Sequence, residues 1–113
     1  MAIPKAKATG QRGSWFAAID GELFPCVHEY WTRRVGGKMA YADPYCLPEH
    51  AKRAPFLTAL RDKRQAILTK DGPPSAEMVF DRKGYIALFQ IDTPTVEDGT
   101  LRFEFLKRLT DLA

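Results

Sequence analysis

Hydrophobic and polar positions alternate in short runs through most of this chain, and one stretch shifts to helical spacing. Trp15-Phe16-Ala17-Ala18-Ile19 and Glu22-Leu23-Phe24-Pro25-Cys26-Val27-His28 flank the pair Asp20-Gly21. Asp-Gly supplies the positive φ angles that a two-residue turn needs, so this run predicts a β-hairpin. Pro25 has no N–H to give to a ladder, which predicts an edge or bulged second strand. Gly36-Gly37 predicts another turn, with a third strand from Lys38 to Ala42.

The region from Pro48 to Lys70 is helical in character, with Pro55 suited to the first turn of its main segment. On a helical wheel Phe56, Leu57, Leu60, Ile67 and Leu68 form one apolar arc of about 120°. Arg64 falls in the middle of that arc, and Arg61 on its border. An arginine there must snorkel, pair with a carboxylate or face an anionic ligand. Asp71-Gly72-Pro73-Pro74 ends the helical stretch. Beyond it, Glu77 to Phe80, Tyr85 to Ile91 and Thr100 to Leu106 read as strands, and Lys107 to Leu112 as a short final helix. The expected fold is α+β: a curved antiparallel sheet of five to six strands in the order βββ-α-βββ, with one main helix packed on it.

Length and composition suit one small domain of 113 residues, 45% hydrophobic and 27% charged. Residues 1–13 read as a flexible basic arm carrying Lys5, Lys7 and Arg12, and 14–113 as the folded unit. No apolar run approaches a membrane span and the start lacks the apolar core of a secretory signal, so the expected location is the cytoplasm.

Charge changes the picture once it is divided. The net +3 resolves into +3 for residues 1–13, −3 for 14–30, +6 for 31–70 and −3 for 71–113. In the basic middle, rings interleave with cations: Tyr30-Trp31-Thr32-Arg33-Arg34, then Lys38 and Tyr41. Single-stranded nucleic acid is held by such surfaces, with bases on rings and phosphates on Lys or Arg. The expected contact set is Arg33, Arg34, Lys38, Lys52, Arg53, Arg61 and Lys63, with Trp31 and Tyr41 for stacking. With no asparagine in the chain, base-specific readout of adenine falls to few residues, so contact is expected mainly with the phosphate backbone.

The chain's whole supply of cysteine and histidine is two close pairs, Cys26 with His28 and Cys46 with His50. Two thiolates and two imidazoles form the ligand set of a closed tetrahedral zinc site, which would be structural. The plain alternative is that both thiols are buried apolar groups and both imidazoles lie at the surface. No phosphate loop or dinucleotide fingerprint occurs, and with Ser14 and Ser75 the only serines a Ser-His-Asp triad has little to draw on. The sequence therefore points to a non-enzymatic binding domain for nucleic acid. The alternative is a protein-interaction module or homodimer acting through the Pro25 edge strand. A small metal-assisted hydrolase or nuclease ranks third.

Overall fold

Local turn chemistry sets the first hairpin in the computed structural model, which describes residues 3–10, 15–44, 53–76 and 81–112. Asp20 and Gly21 take φ angles of 52° and 81° between β3 (Phe16–Ile19) and β4 (Glu22–His28). Gly36 and Gly37, at 58° and 82°, do the same between β5 (Thr32–Val35) and β6 (Lys38–Asp43). A single 3-10 turn, Glu29–Trp31, separates the two hairpins. The N-terminal run contributes β1 (Lys5–Ala6) and β2 (Ala8–Gly10). After the one helix, α1 (Arg53–Lys63), come β7 (Gln65–Asp71), β8 (Arg82–Ile91), β9 (Thr95–Glu97) and β10 (Thr100–Leu112). Among the described residues no helix is long and apolar enough to cross a membrane.

Among the described residues the result is mostly sheet with one helix, as expected in outline, but the sheet is larger and of mixed direction. Ten strands replace the five or six anticipated, in the order β2-β3-β4-β7-β8-β10-β6-β5, with β1 and β9 also on β10. Two pairs are parallel, β4 with β7 and β1 with β10. Two strands change partners along their length. β4 pairs with β3 through Pro25, then with β7 from Cys26 onward. The N-terminal run pairs with the end of β10 through Lys5 and Ala6, then with β3 through Ala8 to Gly10. Strands that switch sheets make corners, so β2, β3 and the start of β4 fold as a small layer over the large sheet. The circuit of pairings closes. Pro25 is therefore buried at a corner of an interior strand, where its missing N–H breaks the ladder, and is not on an edge.

Residues 65–70, expected as helix, form with Asp71 a central strand. Arg64 adopts a left-handed φ of 53° and ends α1, its Nε donating to the Arg61 carbonyl at 3.0 Å. Arg64 thus caps the helix and does not lie on a buried arc. Both faces of β7 are buried, so Ala66-Ile67-Leu68 is a continuous apolar run, which helical and strand readings fit equally well. The segment 107–112 likewise continues β10 and forms no helix. The expected strand over 77–80 lies outside the described residues.

Two cores follow from the two layers. Ala8, Ala17, Ile19, Phe24, Cys26, Ile67 and Leu88 fill the space between small layer and large sheet. On the other face of the large sheet, Phe56, Leu57 and Leu60 of α1 meet Val27, Ala66, Leu68 and Phe89. Burying three such side chains, at about 2 kcal/mol each, holds a helix of 11 residues that would be marginal alone.

Residues 5–10 differ from the flexible arm that composition suggests, because the small, low-charge Ala8 enters the inner core at 6% exposure. Ala8→Asp should lower the unfolding free energy by about 3 kcal/mol in urea titration, as an unpaired buried charge does. A free arm would leave the midpoint unchanged.

Candidate binding groove

The β5–β6 hairpin sets a row-by-row register that builds a groove on the outer face of the sheet. Arg33 lies opposite Ala40, which lies opposite Glu104 of β10. One row along, Ala42 lies opposite Arg102, which lies opposite Thr95 of β9. Residues alternate between faces of a strand, so Met39-Ala40-Tyr41-Ala42 turns large side chains inward and two methyls outward. Beneath the methyls, Tyr41 stacks on Phe103 with ring centroids 4.9 Å apart and planes at 19°. Above them, the missing side-chain volume opens a groove of about 610 Å³ with Trp31, Arg33 and Val35 on one side and Thr95, Arg102 and Glu104 on the other.

The polar groups around the groove divide into engaged and free. The Asp92 carboxylate accepts the Glu104 N–H at 2.7 Å, and the Lys38 ammonium lies 4.0 Å from the Glu104 carboxylate. Arg33 and Arg102 are exposed and have no hydrogen-bond or ion-pair partner among the described residues. Trp31 is half-buried, its ring meeting Tyr30 edge-on at 4.8 Å.

Of the expected contact set, the fold brings Trp31 and Arg33 to the groove, with Lys38 on the neighbouring strand. Tyr41 lies under the floor at 2% exposure, where no base can reach its ring, and its hydroxyl accepts the His28 N–H at 3.3 Å. Arg34 is exposed on β5 but falls on the alternate face. Arg53, Arg61 and Lys63 belong to α1 and do not line the groove. Lys63 is engaged with Glu22 at 2.8 Å and sits over the Phe24 ring. Lys52 lies outside the described residues. Sequence reading missed Arg102, which sits in a net-acidic segment, and the two floor alanines. The signals were the Leu101-Arg102-Phe103 and Met39-Ala40-Tyr41-Ala42 alternations.

Cys26 and His28 share a face of β4 as their spacing requires, but their surroundings differ. Cys26 is walled in by the inner core, and its thiol is pushed up from 9.0 to about 11, mainly by burial, with Arg82 pulling it down and Asp71 adding to the rise. His28 Nδ1 lies 3.0 Å from Asp71 Oδ2, on a carboxylate only 2% exposed. The buried Thr69 hydroxyl is 3.0 Å from that same oxygen and 3.2 Å from the Val27 carbonyl. This cluster ties the end of β4 to β7. Among the described residues no group of three or more His, Cys, Asp or Glu is placed to hold a metal, and Cys46 and His50 lie outside them. The chain matches no known family, no curated protein and no solved structure.

With Cys46 replaced by serine, the native protein should resist a thiol reagent near neutral pH and react at once when unfolded, as ultraviolet absorbance would record. The linkage has a defined sign. The unfolded thiol ionises first, near 9.0, so the stability tied to Cys26 is full below that pH and is lost as pH rises towards about 11. Denaturation across this window should show a steeper fall for the wild type than for Cys26→Ala.

Proposed function

We propose that this chain is a small non-enzymatic binding domain that contacts nucleic acid through its phosphate backbone at the groove across β5, β6, β10 and β9. The observation that carries the reading is the pair of arginines, Arg33 and Arg102, on opposite walls with unspent donors. Guanidinium groups match phosphate oxygens in a bidentate geometry, and exposed ones give up little on engaging them. Lys38, in the row of Val35, extends the positive rim along the β5–β6 hairpin. Of the two acids in the lining, Asp92 accepts a backbone amide and Glu104 lies beside Lys38.

A second reading, a protein-interaction module, rests on β5 in place of Pro25. β5 ends the strand order, so its outer edge is unpaired among the described residues, and Val35 on it is 67% exposed. Such an edge accepts an added strand. A concentration-dependent dimer in light scattering, abolished by Val35→Lys, would favour this reading over the first.

The phosphate reading is tested by fluorescence anisotropy with a labelled oligonucleotide over a salt series. Three phosphate contacts on a single strand give a log–log slope of roughly −2. Arg33→Ala and Arg102→Ala should each weaken binding and flatten the slope by about 0.7. Affinity indifferent to salt, or no binding at low salt, would overturn it.

A further inference from the structure

We infer that the floor of the groove is a seat for one unpaired base, so that the ligand is single-stranded nucleic acid and not duplex. The inference rests on the phosphate reading above and adds to it what lies between the arginines. Ala40 and Ala42 are two apart on one strand, which separates their methyls by about 7 Å along the sheet. Neighbouring strands stand about 4.8 Å to either side, so β5 and β10 form walls roughly 10 Å apart. A flat ring fits such a floor, face down on two methyls. Arg33 is opposite Ala40 and Arg102 is opposite Ala42, so the guanidiniums stand diagonally across the seat. They are placed to take the phosphates before and after one nucleotide while its base lies between them.

One tryptophan and two threonines of the lining fit the same occupant. Trp31 at one end gives an indole against which a base can pack, and tryptophan is the residue most suited to stacking among cations. The Thr95 and Thr100 hydroxyls at the other end can donate to or accept from a base edge without demanding one base. The floor itself is rigid, because the Tyr41, Phe103 and Phe105 rings are packed beneath it. A duplex hides both faces of every base in its stack. It could touch the arginines, but it would leave the methyl floor unfilled.

The test compares three labelled ligands of one length: a single strand, the matching duplex, and a single strand whose central nucleotides lack bases. The wild type should bind the single strand about tenfold more tightly than either of the others. Ala42→Leu fills the seat from the solvent side while leaving the core and both arginines in place. It should cost about tenfold in single-strand affinity with an unchanged salt slope. Equal affinity for duplex or for the base-free strand would overturn the base seat, as would an Ala42→Leu protein that binds like wild type. The base-free ligand needs no altered protein, so a misfolded variant leaves the test standing. If Arg33→Ala and Arg102→Ala still weaken binding, only the seat falls. If they have no effect, the phosphate reading falls with it.

Discussion

The fold depends on one strand. Over 13 residues β10 hydrogen-bonds to β6 and β9 with its first part and to β8 and β1 with its last. Among the described strands β10 alone pairs both with β6 of the β5–β6 extension and with β8 and β1. Its ladder with β8 shifts register between Phe105 and Lys107 and again between Arg108 and Thr110. Those irregularities let one strand serve two cores, with Leu101, Phe103 and Phe105 in the outer and Leu109 and Leu112 against the inner. A strictly regular strand of this length would keep one set of side chains on one face throughout. Because Arg102 lies between Leu101 and Phe103, the burial of those two fixes the arginine on the groove wall.

The groove and the inner core make opposite use of alternation. In β6 the large side chains point inward and the small ones outward, which leaves space for a ligand. At the corner of β4 the backbone itself changes partners at Pro25, and Cys26 and His28 fall on the near and far sides of a polarity change. One is sealed among apolar groups, while the other, itself part-exposed, meets a buried carboxylate. The same Cys-x-His spacing thus serves packing at one position and a side-chain tether to β7 at the next.

What was legible in the sequence was local. Asp20-Gly21 and Gly36-Gly37 specify their turns within two residues, and both hairpins form where the turn chemistry places them. The general form, one helix and a predominance of strands, also follows from pattern. What was not legible depends on distant partners. Ile67 and Leu68 are compatible with a helical arc until β4 and β8 are known to cover both faces of β7. Arg64 looks buried on a wheel and becomes a helix cap only when the helix stops at Lys63. Ala8 looks like part of a polar arm until β3 offers it a partner and the end of β10 holds the residues just before it. For the site, Trp31 and Arg33 stood out because cations and rings are adjacent in the chain. Arg102 and the floor alanines did not, because a register between β6 and β10, some sixty positions apart, brings them together.

The closure of the pairing circuit carries a kinetic consequence. Lys5 and Ala6 lie beside Asp111 and Leu112 in parallel register, and the Asp111 N–H reaches the Pro4 carbonyl at 2.8 Å. β1 must therefore wait for the end of β10 to be made before it can pair there. Until then β1 and β8 have open edges, and the inner core lacks Leu109 and Leu112. Such long-range, partly parallel pairing is the slow class of topology. The interval between emergence and closure is when this chain is most exposed to wrong partners.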